Sequence, residues 1–189
     1  EIAMSIMMLT GNFVFMKYYG DNGVAAFSIA CFLFPLMFMM SNAVAQSAQP
    51  IISYNYGAGA QKRVRQAFGL SIKVALLCGT AACIAIALGA RGIISLFIDP
   101  ACSAGKLACQ GLPVYATCAL FFAVNISFIG YYQSIEKAFK AMIFTLLRGV
   151  VLLVPLFYIL PVLLPGTGAW AAIPASEALT LIIILLSKK

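Results

Sequence analysis

The sequence predicts an all-α integral membrane protein with six transmembrane helices. Its residues are 63% hydrophobic and 9% charged, whereas a soluble domain needs roughly a quarter charged residues to cover its surface. Six apolar stretches reach or approach the about 20 residues that a helix needs to cross a bilayer. The basic residues gather in alternate connections between those stretches, as they do in chains threaded through a membrane.

The elements follow from the apolar runs and the breakers between them. Residues 2–19 form the first span, closed by the turn-rich Tyr18-Tyr19-Gly20-Asp21-Asn22-Gly23. The second span, 24–49, runs on toward Pro50 and is too long for a straight crossing, so it projects beyond the bilayer or bends at Pro35 or Pro50. Past Gln49-Pro50 the chain turns polar and aromatic, breaks at Gly57 and Gly59, and lands on Lys62, Arg63 and Arg65. The third span covers 64–90, with Gly69, Gly79 and Ala82 among the small residues that let helices approach closely. A polar connection, 91–106, carries Asp99-Pro100 as a helix boundary. The fourth span is 107–133, and the fifth is 141–160, ending at Pro161. A tight turn over 163–168 then leads to the sixth, 169–186.

With six spans, Lys62, Arg63, Arg65, Lys73, Lys137, Lys140, Arg148, Lys188 and Lys189 fall on one side, against Lys17, Arg91 and Lys106 on the other. Positive charge favours the cytoplasm, so the loop 57–66 and the C-terminus are expected there. Tyr18, Tyr19, Tyr54, Tyr56, Tyr131 and Tyr132 lie near span ends, as an interfacial belt requires. The net charge of +7 is thereby explained by topology, and nucleic acid is not expected as a partner. The chain opens on Glu1 directly before an apolar run and shows no signal peptide, so it reads as a piece of something longer.

The composition also bounds the chemistry. There is no histidine, the commonest general base and metal ligand. No phosphate-binding loop, Cys-X-X-Cys pair or Ser/His/Asp set is found, so no enzyme is expected. Cys31, Cys78, Cys83 and Cys118 lie in apolar runs, where cysteine packs as a small hydrophobe. Cys102 and Cys109 lack a second pair at zinc spacing.

Ionisable groups inside a bilayer are costly and mark function by default. Glu177, three residues after Pro174 and near the middle of the sixth span, is the clearest candidate for a cation or proton site. Its structural alternative is a carboxyl that stays protonated in its buried position or hydrogen-bonds a neighbouring helix. Glu1, taken alone, is a solvated residue at a helix start. Asn12, Asn42, Gln46 and Asn125 are amides within spans that either join helices or line a path. Asn125-Ile126-Ser127 matches a glycosylation pattern but lies within a span. Arg148 and Lys73 are expected to snorkel toward headgroups. Phe121, Phe122, Phe128, Met37, Met39 and Met40 either line a permissive pocket or pack as core and lipid contacts, with packing favoured.

Gln49-Pro50-Ile51-Ile52-Ser53-Tyr54-Asn55-Tyr56-Gly57-Ala58-Gly59, followed by Lys62-Arg63-Val64-Arg65, resembles the loop after the eighth helix of the multidrug and toxic compound extrusion (MATE) transporters. Gly23-Val24-Ala25-Ala26, Leu147-Arg148-Gly149 and Gly166-Thr167-Gly168-Ala169-Trp170 also fit that family in order and spacing. The resemblance spans nearly the whole chain. It implies the C-terminal six-helix lobe of a twelve-helix, two-lobe transporter, the other lobe being an N-terminal half of the same chain.

It further implies efflux of small organic, often cationic, compounds across a bacterial plasma membrane, with sodium ions or protons as the coupling ion and no other cofactor. Access would alternate as the lobes rock, with Pro35, Pro50 and Pro174 as bending points. The resemblance also makes Glu1 the acidic residue that these transporters often carry in the seventh helix. Asn125 stands near an aspartate that some members have in the tenth, without the charge. Two other classes stand beside this reading. One is a flippase for a lipid-linked precursor, with a more basic cavity; the other is a non-transporting membrane module.

Overall fold

A computed structural model describes residues 2–187; Glu1, Lys188 and Lys189 lie outside the described residues. All regular structure among the described residues is helical. The first helix, α1 (Ile2–Gly57), has 56 residues, which would stretch about 84 Å if straight. It is broken at Gly20, with φ 62° and ψ −155°, a region of backbone space open essentially to glycine alone. The break folds residues 2–19 back on 21–57. Phe15 stacks on Phe27 with ring centroids 4.5 Å apart, and a Cβ on Gly11 would run into the Phe27 ring. In one continuous helix, positions 11 and 27 would sit about 24 Å apart.

After α1 come α2 (Gln61–Ser95), α3 (Ser103–Ala116), α4 (Cys118–Ser134), α5 (Ala138–Leu146), a π-helical turn (Leu147–Val151), α6 (Leu153–Leu163) and α7 (Gly168–Leu186). α3 and α4 join at Thr117, whose dihedrals stay helical, and act as one span. So do α5, the π turn and α6. Among the described residues, five helices are long and apolar enough to cross a membrane; the first is two rods broken at Gly20, which makes six rods of that kind.

The helices overrun the apolar runs at several ends. α1 continues through Pro50 to Gly57 rather than stopping at residue 49. Asn55 caps its own turn by donating from Nδ2 to the Ile51 carbonyl. The connection expected over 91–106 shrinks to 96–102, because α2 carries the exposed Arg91 as part of its helix and ends at Ser95. Asp99 accepts from the Ala101 amide at 2.9 Å. Cys102 caps α3 by accepting from the Gly105 amide at 3.2 Å, a role for cysteine that its surroundings in the sequence do not show.

α4 is the central rod. Residues 122–130 are buried without a break, and α1, α2 and α7 all pack on it. Gly79 of α2 makes one of these contacts possible, since a Cβ there would come within 2.9 Å of the Ala119 carbonyl oxygen. The second packing centre is Trp170 of α7, edge-on to Phe15 with centroids 4.8 Å apart and filling the space where a Cβ of Gly111 would stand. The turn before α7 places Gly166 at φ 93°, and Tyr19 reaches across to donate to its carbonyl at 2.9 Å.

Candidate functional site

The site begins with a fault in a helix. Between α5 and α6 the Leu152 amide donates to the Leu147 carbonyl, five residues back instead of four. Pro155, in the first turn of α6, has no N–H to give the Val151 carbonyl that an unbroken α-helix would pair with it. The wider turn that results carries Arg148. Turns of this kind inside helices occur frequently at functional sites. The hydroxyl of Ser176 donates to the Arg148 carbonyl at 2.7 Å, tying the widened turn to α7 one residue before Glu177.

Arg148, Glu177 and Asn125 meet at one depth. At about 1.5 Å per residue, Asn125 lies roughly 14 Å from the span end at Ser134, Arg148 roughly 15 Å from the one at Ala138 and Glu177 roughly 14 Å from the one at Leu186, a common depth of about half of a hydrocarbon core about 30 Å thick. Asn125 is fully buried and Glu177 nearly so. The Asn125 Nδ2 donates both to the Glu177 backbone carbonyl at 2.9 Å and to its Oε2 at 2.8 Å. The other carboxylate oxygen, Oε1, faces the Arg148 Nε at 3.6 Å, and the Arg148 side chain is only 10% exposed. The guanidinium carbon sits 4.2 Å above the centre of the Phe122 ring, within reach of a cation–π attraction. Two polar atoms of this group, Arg148 Nη1 and Asn125 Oδ1, are buried without a hydrogen-bond partner among the described residues.

Beside the cluster lies a cavity of about 400 Å³, within the range of small-molecule sites. Met4, Met7, Phe34 and Phe38 supply apolar walls, and Arg148 and Glu177 are its charged lining among the described residues. Gln49 and Gln133 also line it, joined by a 3.0 Å amide–amide hydrogen bond between α1 and α4. The arrangement offers one buried carboxyl, one adjacent guanidinium and an adaptable apolar wall.

A sequence model of the MatE family matches residues 1–159. The chain belongs to the MATE family. Among solved structures, an inward-facing multidrug resistance MATE family transporter of the MOP superfamily superposes with a TM-score of 0.90 at 23% identity, covering 98% of this chain and 43% of that one. The outward-facing conformation of such a transporter gives 0.89 at 23% identity, with 98% and 42% covered. A MOP superfamily transporter from Pyrococcus furiosus, described as having reverse polarity of its binding pocket, gives 0.87 at 23%, again with 98% and 42% covered. The chain therefore has the fold of one MATE lobe and spans less than half the length of these chains. A comparison with curated proteins found no match.

Within this MATE lobe the residues singled out in the sequence scatter. Glu177 and Asn125 come together as described, while Glu1 lies outside the described residues. Asn12 sits in the first rod of α1 with its Oδ1 buried and unpartnered, away from the cavity lining. Asn42 and Gln49 line the cavity. α1 runs through Pro35 and Pro50 with its one departure from helical dihedrals at Gly20, and α7 runs through Pro174, one turn before Glu177. Arg148, expected at the headgroups, is turned inward. The aromatic and methionine group divides: Phe122 lies under Arg148, Met39 faces outward at 68% exposure, and the cavity takes Met4 and Met7 instead. The signal for Arg148 was the Leu147-Arg148-Gly149 motif, which marks the π turn itself.

Proposed function

We propose that this MATE lobe works with a second six-helix lobe as a cation-coupled exporter of small organic compounds. The observation that carries the reading is the Glu177–Asn125–Arg148 cluster at mid-bilayer beside the cavity. A carboxylate in that position binds either a coupling cation or a cationic group of the substrate, so that one displaces the other. Sodium ions or protons are the coupling ions, and no further cofactor is involved. Rocking of whole lobes is supported by the near-equal fit to inward- and outward-facing relatives. The balanced charge of the cavity lining favours this reading over a flippase with a basic cavity. The basic loop after α1 is placed at the cytoplasmic face of the plasma membrane, where positive charge is retained.

The test uses the full-length transporter in proteoliposomes and follows a fluorescent organic cation under an imposed sodium or proton gradient. Glu177→Gln keeps the shape of the site and removes its charge. Gradient-driven efflux is expected to fall about tenfold or more, which corresponds to losing one charge-assisted interaction. Efflux that is unchanged in Glu177→Gln and lost in Glu1→Gln would move the coupling carboxylate to Glu1.

A further inference from the structure

We infer that the groove between α1 and α2 holds one anionic phospholipid, with an acyl chain along the groove and the phosphate headgroup on Lys62 and Arg65. The site lies on the far side of α1 from the cavity and is independent of the efflux reading.

Two concavities meet on α2. One, of about 450 Å³, is apolar, with Ala43, Ser47 and Ile51 of α1 facing Ala67, Leu70 and Val74 of α2. At about 100° per residue, these α1 positions lie opposite Asn42, Ala45 and Gln49, which line the cavity. The Ser47 hydroxyl donates to the Ala43 carbonyl at 2.7 Å, so it is spent within its own helix. Ile51 and Leu70 are more than half exposed. The other concavity, also of about 450 Å³, is polar and is lined by Gln61, Lys62, Arg65 and Gln66. It opens one turn ahead of the groove, since Gln66 and Leu70 stand four residues apart on one helix face. From Gln61 to Val74 the two run about 20 Å along α2, the thickness of one bilayer leaflet with its headgroups.

Charge selects the occupant. Among the described residues no acidic side chain lines either concavity, and the ion pair is Arg148–Glu177. Lys62, Arg65 and the exposed Lys73 therefore have no carboxylate partner there. Lys73 stands beside Val74, and a helical side chain leans toward the N-terminus of its helix, here toward the basic end. Each Lys or Arg beside a membrane surface strengthens binding of anionic lipid about fivefold. A lipid without net charge gains the groove alone, and a free phosphate gains the basic end alone. A second copy of this chain seated by the same face would bring Lys62, Arg65 and Lys73 against their own counterparts. An anionic phospholipid fills both concavities and neutralises the basic end.

The experiment titrates the full-length transporter in detergent micelles with dioleoyl phosphatidylglycerol or dioleoyl phosphatidylcholine and counts bound lipid by native mass spectrometry. The two lipids share their chains and differ in headgroup charge. One phosphatidylglycerol is expected to bind about tenfold tighter than phosphatidylcholine or better. Lys62→Gln/Arg65→Gln, at exposed positions, is expected to remove that preference, while Arg91→Gln at the opposite end of α2 leaves it. Ala67→Phe fills the groove and is expected to weaken both lipids about tenfold. Should that variant not fold, glycerol 3-phosphate, a headgroup without chains, separates the two halves of the site and is expected not to compete. Equal binding of the two lipids, a preference that survives loss of Lys62 and Arg65 or is lost equally in Arg91→Gln, or glycerol 3-phosphate competing as well as the lipid overturns the inference. So does a dimer that Ala67→Phe dissolves while lipid binding stays, which would make the groove an interface between copies.

Discussion

Gly111 and Trp170 show how much a single missing side chain can hold in place. The indole ring occupies the space where a Cβ of residue 111 would stand, and around it pack Phe15, Phe27 and, through Phe27, Phe157. Gly111→Ala is expected to push the ring out of this seat and cost about 1–3 kcal/mol, the usual penalty for overpacking a tight core. Trp170 is the one tryptophan of these 189 residues, so a shifted emission maximum of Trp170, read with any tryptophan elsewhere in the protein replaced, together with a lowered melting temperature of the purified protein checks this. An unchanged emission and melting temperature would mean that the ring does not depend on that contact. The same logic explains the resemblance motif around Trp170. Gly166 is needed for its positive φ, Gly168 because a Cβ would strike the Leu160 carbonyl, and Trp170 for the core it fills.

Among the elements, the π turn between α5 and α6 does most to set the site. Pro155→Ala restores the missing donor to the Val151 carbonyl and allows the turn to close to ordinary α geometry. One residue's change of register rotates a helix by about 100°, which would swing Arg148 off Glu177 and Phe122. The expected outcome is a folded protein with substrate binding weakened about tenfold; unchanged dye affinity would show that the π turn does not depend on Pro155. The sequence displayed the breakers after this region, Pro161 and the turn carrying Gly166, and the order of the spans could be read from such punctuation, whereas Pro155 passed unremarked inside the apolar run 141–160. It did not display the direction of Arg148. Snorkelling is an argument about distance along one helix, whereas the partner of Arg148 lies on α7 and is brought near by α4. In rods that are apolar on every side, periodicity does not say which face meets which neighbour. Residues 122–130 of α4, buried all round, carry no such signal, and so Asn125 read as one amide among several.

The lobe superposes on inward- and outward-facing solved structures with TM-scores of 0.90 and 0.89, and on the proposed rocking of whole lobes it is expected to move as one body. Spin labels at the exposed Tyr54 and Leu88, both on this lobe, are expected to keep one mutual distance when gradient and substrate are switched. A label paired across to the other lobe should change its distance. Movement within the pair would place the hinge inside the lobe, with Pro35 and Pro50 the first positions to examine. That expectation has a structural basis in the wrapping of α4 by α1, α2 and α7, a centre that cannot shift without unpacking three neighbours.

That central position also orders the making of the protein. The ribosome delivers Asn125 first, Arg148 next and Glu177 last, so the guanidinium enters the bilayer before the carboxylate that will face it exists. A lone arginine at the middle of a helix raises the cost of insertion by about 2.5–3.5 kcal/mol on translocon scales, which the strongly apolar α5 and α6 must carry until α7 arrives. A nascent chain halted short of Glu177 thus leaves Arg148 without its facing carboxylate, an unpaired charge inside the membrane.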